Sequence, residues 1–79
     1  MRDADPYRIY WRSRRGLLEL DLLLVPFARD VYASLADPLR ADYRRLLEAE
    51  DPDILAWLQG QTEPPRALQM IVSLIRRHV

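Results

Sequence analysis

Apolar residues recur at spacings of three and four along most of the chain, a period that predicts α-helices. The widest apolar surface follows Gly16, in two adjacent rows: Leu17, Leu20, Leu24, Phe27, Val31 and Leu35, and then Leu18, Leu22, Val25 and Tyr32. We expect this helix at the centre of the domain, with a kink at Pro26, where the backbone lacks a hydrogen-bond donor. Its outward stripe is predicted to comprise Glu19, Leu23, Pro26 and Asp30.

Three Asp-Pro pairs predict helix starts, because aspartate is a favoured N-cap and proline suits the first helical position. They are Asp5-Pro6, Asp37-Pro38 and Asp51-Pro52. Gly16 and Gly60 mark helix ends, since glycine adopts the left-handed conformation that closes a helix. Together with the apolar spacing, these signals predict helices over about 6–14, 17–35, 38–49, 52–59 and 65–78, the last burying Leu68, Ile71, Val72 and Ile75. Short loops between five helices indicate a small all-α five-helix bundle, a single domain over residues 1–79.

Composition supports a small helical domain and narrows its location. A chain of 79 residues hides only roughly 60% of its unfolded surface on folding, which leaves little room for an internal pocket. The absence of cysteine excludes a disulfide framework and a thiolate metal site. The polar start is unlike a secretory signal, and the longest apolar run, residues 22–28, is far short of the ~20 residues that a membrane span needs. We therefore expect a cytoplasmic protein.

The charges balance overall but are unevenly placed. Residues 1–15 hold five arginines and two aspartates, whereas residues 16–63 hold four arginines and ten acidic residues. A nucleic-acid-binding protein usually carries a net basic face, so the zero net charge argues mildly against that class. The alternative kept open is a small helix-turn-helix regulator, with the third and fourth helices as its DNA-reading unit. Asp51 and Asp53 would then point toward phosphates, an unfavourable placement.

Few residues could support catalysis or bind a metal ion. The only histidine, His78, lies next to the C-terminus, and the three serines have no plausible base. An acidic cluster is present, but it lacks the spacing of a calcium loop: Glu48, Glu50, Asp51 and Asp53. The two glycines lie 44 residues apart, so no glycine-rich phosphate loop exists. We predict neither an enzyme nor a metal site.

The stretch RRGLLELD, residues 14–21, has two interpretations. In the first it is structural: arginines at a helix end, Gly16 as C-cap and Glu19 in the first turn of the next helix, where its charge suits the dipole. In the second it is a docking patch, because a glycine without a side chain lets another backbone approach closely. Arg15 and Glu19 would then offer opposite charges on either side of Gly16.

Two motifs resemble those of the SdhE family, assembly factors for the flavoprotein subunit of succinate dehydrogenase. The signature R-G-x-x-E appears as Arg15-Gly16-Leu17-Leu18-Glu19, within the run W-x-x-R-R-G-x-x-E-L-D from Trp11 to Asp21. A second stretch, D-P-D with an apolar residue and then W-L, appears at residues 51–58. The resemblance covers about residues 7–77. Many relatives have further residues beyond the last helix, which this chain lacks.

The resemblance implies a five-helix factor that binds the flavoprotein subunit and promotes covalent attachment of FAD to a histidine of that subunit. FAD would belong to the client, with no cofactor held stably here, and fumarate reductase is a second candidate client. Arg15, Gly16 and Glu19 would contact the client, and we add three neighbours to this contact set: Trp11, Arg14 and Leu23. We expect a monomer; the competing interpretation is an oligomerisation module that uses Leu23.

Overall fold

Five α-helices make up most of the protein in a computed structural model that describes residues 5–78. The helices are α1 (Pro6–Ser13), α2 (Leu18–Asp30), α3 (Asp37–Leu46), α4 (Asp51–Leu58) and α5 (Gln69–His78), with 3₁₀ turns at Tyr32–Ser34 and Arg66–Leu68. Residues 5–78 contain no strand, and all five helices contribute to one core. The predicted all-α five-helix architecture is confirmed, while residues 1–4 and 79 of the predicted domain lie outside the described part.

Helix α2 is the centre of the bundle, as its apolar surface predicted. It packs against α1, α4 and α5 and contributes four buried residues, Leu20, Leu24, Phe27 and Ala28. The four residues predicted to be buried in the last helix are also buried: Leu68, Ile71, Val72 and Ile75. Helix α2 runs continuously through Pro26, so the kink expected there stays a prediction.

The prediction of which α2 side chains face outward was partly wrong. Leu18 and Leu22 were placed in a buried row, yet they are 69% and 65% exposed, whereas Leu23 is partly buried and packs against the core. At 100° per residue, Leu18 and Leu22 share a sector with the exposed Arg29, while Leu23 lies nearer the core side. Apolar residues lie on nearly every side of α2, so their spacing alone does not select one of these sectors.

The start of α1 and the end of α5 are as predicted, and the other helix boundaries differ from the predictions by one to five residues. Asp5 caps α1 as predicted, and its carboxylate accepts a 2.9 Å hydrogen bond from the Tyr7 amide. Asp37 and Asp51 are instead the first helical residues, because the extended backbone that marks the cap lies one residue earlier. Helix α2 ends at Asp30 rather than near residue 35. After Asp30, the hydroxyl and the amide of Ser34 both donate to the Val31 carbonyl, and these bonds tighten the chain into a 3₁₀ turn.

A buried hydroxyl pair ties the end of α1 to α3. The Ser13 hydroxyl donates to the Ile9 carbonyl at 2.8 Å and lies 2.6 Å from the Tyr43 hydroxyl, and both side chains are buried. Burial raises the pKa of Tyr43 well above its usual value, because the low-dielectric core disfavours the phenolate. The pair fixes the point at which the chain leaves α1 for the segment containing Gly16.

Candidate functional site

Residues 14–17, which we call the corner, join α1 to α2. Gly16 has φ +80, a left-handed conformation that costs other residues roughly 1–2 kcal/mol, so the corner favours glycine. A Cβ atom built on Gly16 would meet nothing within 4 Å. Gly16 is therefore a bare stretch of backbone that faces open space.

Gly16 is not the C-cap predicted from the sequence, although its left-handed conformation is as expected. Helix α1 ends at Ser13, and its C-cap is Arg14 in an extended conformation. Gly60 shows what a capping glycine does: its φ is +76, and the amide of Gln61 donates to the carbonyl of Ala56 at 2.8 Å, the closing bond of a Schellman motif. The left-handed turn at Gly16 instead redirects the chain between helices.

The Arg15 side chain points into the protein. Its Nε donates to Asp51 Oδ1 at 2.7 Å, its Nη2 to the Ala49 carbonyl at 3.2 Å, and its Nη1 to the carbonyls of Leu47 at 3.0 Å and Arg12 at 3.2 Å. Only 18% of this side chain is exposed. A guanidinium has five N–H donors, and these four bonds occupy most of them. The corner is thereby tied to the segment between α3 and α4.

Two acidic residues of the motifs hold Arg15 in place. Asp21, in the first turn of α2, accepts a 2.8 Å hydrogen bond from the Arg15 amide, so the backbone just before Gly16 is fixed as well. Asp51, in the first turn of α4, accepts from the Arg15 side chain and forms an ion pair with it. Residues from both motifs therefore meet at Arg15, although 36 positions separate Arg15 from Asp51.

Glu19 and the α1 aromatic side chains are on the outside. Glu19 is exposed in the first turn of α2, and within residues 5–78 it forms no ion pair. Trp11 is 49% exposed, and the Arg14 guanidinium lies over its ring at 5.4 Å from the centroid, a cation–π arrangement. Next to it, a shallow cleft of about 230 Å³ is lined by Tyr7, Arg8, Trp11 and Arg12. Tyr10 is partly buried, so Trp11 is the aromatic residue that borders the arginines at the surface.

The six predicted contact residues fall into two groups. Trp11, Arg14, Gly16 and Glu19 are exposed around the corner, while the side chains of Arg15 and Leu23 are mostly or partly covered. The outward apolar positions next to Glu19 are Leu18 and Leu22. We call the exposed set Trp11, Arg14, Gly16, Leu18, Glu19 and Leu22 the corner surface.

Sequence reasoning missed Leu18, Leu22 and the role of Asp51. The common sector of Leu18, Leu22 and Arg29 on the α2 wheel could have identified the two exposed leucines. No comparable signal existed for Asp51, which looked like an ordinary acid favourably placed near a helix N-terminus. Its contact with Arg15 depends on how α4 packs and therefore needs the tertiary structure.

The described part of the chain contains no candidate metal site. Residues 5–78 contain no group of three or more potential metal ligands. His78 packs edge-on against Phe27, and its Nε2 is 3.9 Å from Asp30. No helix within the same range is long and apolar enough to cross a membrane. Because Asp51 pairs with Arg15 at the start of α4, nothing here favours α3 and α4 as a DNA-reading unit.

Comparison with known proteins gives the same family as the two motifs. A family model described as flavinator of succinate dehydrogenase matches residues 7–79. A protein of Pseudomonas savastanoi pv. phaseolicola named FAD assembly factor SdhE is 51% identical over 74 residues, which cover 92% of this chain and 88% of that protein. Proteins of the same name are 49% identical in Pseudomonas aeruginosa, over the same shares, and 42% identical in Shewanella oneidensis, over 85% of this chain and 84% of that protein. The chain therefore belongs to the flavinator of succinate dehydrogenase family.

Proposed function

We propose that this protein is an assembly factor that binds the flavoprotein subunit of succinate dehydrogenase and promotes the covalent attachment of FAD to it. Membership of the family supports the process, and relatives that share about half of the sequence are named FAD assembly factors. The observation that carries the docking part of the proposal is Gly16, whose bare backbone faces open space between exposed charged and apolar side chains.

The corner surface has the composition of a protein-binding site. Leu18 and Leu22 are large apolar side chains exposed side by side on one helix face, and Trp11 is a half-exposed aromatic residue. Tryptophan and arginine are over-represented among the residues that dominate binding energy, and Trp11 carries Arg14 on its ring. Without a side chain at Gly16, the partner backbone can approach the corner closely, and Glu19 then pairs with a donor on the partner.

FAD stays with the partner in this proposal. Two clefts within residues 5–78 are shallow, about 310 and 230 Å³, at or below the small end of the 300–1,000 Å³ range of ligand pockets. The chain also lacks a glycine-rich phosphate loop. These features do not fit a resident dinucleotide. The flavin chemistry therefore takes place within the flavoprotein subunit.

The contribution of the assembly factor is positional. A covalent flavin link requires the flavin ring to be held in attack geometry against a side chain of the flavoprotein subunit, and fixing two reacting groups in that geometry lowers the barrier substantially. By binding across a mobile part of the subunit, the corner surface would restrict the motions that separate the reacting groups. The protein needs no catalytic residue for this task, and we propose that it has none.

Expression of the flavoprotein subunit with and without this protein tests the proposal. We expect covalent flavin, scored as fluorescence of the subunit band on a denaturing gel, to rise several-fold when the protein is present. Equal fluorescence in the two samples would sink the proposal. The flavoprotein subunit of fumarate reductase, assayed in parallel, shows whether that protein is a second client.

Two further expectations accompany the proposal. We expect a monomer that forms a one-to-one complex with its client, and sedimentation of the isolated protein at micromolar concentration would reveal the stable dimer of the competing oligomerisation interpretation. We also keep the cytoplasmic location expected from the sequence, which fractionation of cells expressing the protein would test.

A further inference from the structure

Arg15 is the first residue of the family signature R-G-x-x-E, but its side chain points into the protein and away from the corner surface. The guanidinium donates four hydrogen bonds inside the protein, to Asp51 and to the carbonyls of Arg12, Leu47 and Ala49. A partner that formed an ion pair with the Arg15 guanidinium would have to break several of these hydrogen bonds. Gly16, the next residue, is by contrast fully open.

The atoms that Arg15 contacts are ones that need a donor. The Arg12 carbonyl belongs to the last turn of α1, and the Leu47 and Ala49 carbonyls follow the end of α3, where helix carbonyls have no partner within the helix. Asp51 lies in the first turn of α4. One planar guanidinium therefore bridges the ends of two helices and the beginning of a third. A planar fork of donors suits this task better than the single ammonium of a lysine.

The backbone of Arg15 is fixed as firmly as its side chain. The amide of Arg15 donates to Asp21 Oδ1 at 2.8 Å, which connects the corner to the first turn of α2. Gly16 follows directly in the left-handed conformation. With both the amide and the guanidinium of Arg15 anchored, the corner has little freedom to rotate about Gly16. The orientation of the first turn of α2, which carries Leu18 and Glu19, depends on that restraint.

We infer that Arg15 is a positioning residue that acts together with Asp51: the pair sets the geometry of the corner surface and does not itself contact the partner. This inference rests on the proposed function, and it makes Asp51 as important for partner binding as Arg15. It also explains why the two motif stretches occur together. The D-P-D stretch supplies the acid that holds the arginine of R-G-x-x-E.

A double-mutant cycle separates positioning from direct contact. The variants are Arg15→Ala, Asp51→Ala and the combination, assayed for affinity to the isolated flavoprotein subunit and for covalent flavin. We expect each single change to weaken binding about tenfold, because each removes the Arg15–Asp51 ion pair that holds the corner. The double variant should bind about as weakly as the weaker single variant, because both changes break the same unit. The inference would be overturned if only Arg15→Ala weakened binding. It would also be overturned if the double variant lost about a hundredfold in affinity, the product of the two single losses.

The matched control is Asp53→Ala. Asp53 is an exposed acid in the same first turn of α4, and within residues 5–78 it forms no ion pair. Its loss removes the same helix-dipole interaction as the loss of Asp51 but leaves Arg15 anchored. We expect Asp53→Ala to bind within about twofold of the unchanged protein. Equal weakening by Asp51→Ala and Asp53→Ala would show that α4 acts through general charge, contrary to the inference.

Conservative variants keep the test decisive if circular dichroism shows an alanine variant to be unfolded. Arg15→Lys retains the positive charge but loses the fork geometry, and Asp51→Asn retains the shape but loses the charge. We expect both to weaken binding and to speed amide hydrogen exchange at Arg15, whose amide otherwise donates to Asp21. Full binding by Arg15→Lys despite faster amide exchange at position 15 would mean that binding does not depend on the anchored corner and would refute positioning.

Amide exchange also separates the inference from the proposed function. If the unchanged protein neither binds the flavoprotein subunit nor raises its covalent flavin, the proposed function fails. The exchange rate at Arg15 in Asp51→Asn then still decides whether the ion pair holds the corner. An unchanged rate would overturn the positioning role by itself.

Discussion

Substitution of Gly16 tests whether the corner is a docking surface or only a bend between helices. Any other residue must adopt φ near +80 there, at a cost of roughly 1–2 kcal/mol, but its side chain meets no atom of the protein within 4 Å of the Cβ position. A domain of 79 residues has a free energy of unfolding of about 4–12 kcal/mol. Gly16→Ala and Gly16→Arg should therefore remain more than about 95% folded at 25 °C.

Stability and function should separate in these variants. At about 4–8 °C per kcal/mol for a domain of this size, the strain lowers the Tm by roughly 5–15 °C, which circular dichroism measures. Gly16→Arg should in addition hold the partner away from the corner, and we expect a loss of about thirtyfold or more in affinity for the flavoprotein subunit, the effect of losing one dominant contact. Covalent flavin on the subunit should fall accordingly.

Gly60 provides the matched control, because its φ of +76 imposes the same backbone strain between α4 and α5. A Cβ on Gly60 would lie 3.1 Å from the flexible end of Arg76, which can move aside. Gly60→Ala should lower the Tm as Gly16→Ala does and leave flavin attachment unchanged. Gly16→Asn adds a second comparison, since asparagine tolerates the left-handed conformation but fills the open space. Normal flavin attachment by Gly16→Asn and Gly16→Arg would refute the docking interpretation.

The remaining predictions concern the exposed leucines, the core and alkaline pH. Leu22→Asp should change the free energy of unfolding by less than about 0.5 kcal/mol yet weaken binding to the flavoprotein subunit, and unchanged binding would remove Leu22 from the corner surface. Leu20→Ala, in the core of α2, should cost about 2–5 kcal/mol in urea unfolding, and a smaller loss would contradict its complete burial. Because burial raises the pKa of Tyr43 in the folded state, only the unfolded state loses this proton just above pH 10, and stability should fall there by about 1.4 kcal/mol per pH unit. The decrease in the free energy of unfolding above pH 10, measured by urea unfolding, should be shallower in Tyr43→Phe. Identical pH profiles for the two proteins would contradict this prediction.

The buried positions of a helix could be predicted from sequence wherever the helix has one apolar face and polar residues on its other sides. The apolar stripe of the predicted last helix is flanked by polar residues, so its four buried positions were identified correctly, three in α5 and Leu68 in the 3₁₀ turn before it. Helix α2 is apolar on nearly every side, and its spacing alone placed Leu18 and Leu22 inside and Leu23 outside. The buried side chains of α2 are those on the faces that α1, α4 and α5 cover. That is a property of the assembled bundle.

Glycine shows the same limit in the candidate site. Both glycines were predicted to close helices, and both adopt the left-handed conformation, but only Gly60 makes the hydrogen bonds of a helix cap. The local sequence indicates that a glycine will turn the chain, because its conformational freedom is intrinsic. Whether the turn completes a helix depends on where the preceding helix stops. Helix α1 stops at Ser13, and the buried contact between the hydroxyls of Ser13 and Tyr43 holds the end of the helix in place.

The signature motif thus combines two physical tasks that its sequence does not distinguish. A small domain hides only roughly 60% of its unfolded surface, and an exposed connection with a flexible glycine would ordinarily be among its least ordered parts. Arg15, Asp21 and Asp51 counter this by fixing the backbone next to Gly16 from two directions. A docking surface that is already ordered loses less conformational entropy when the partner binds. We therefore propose that the inward residues of the motif contribute to affinity through rigidity, and that the outward residues Gly16 and Glu19 contribute through contact.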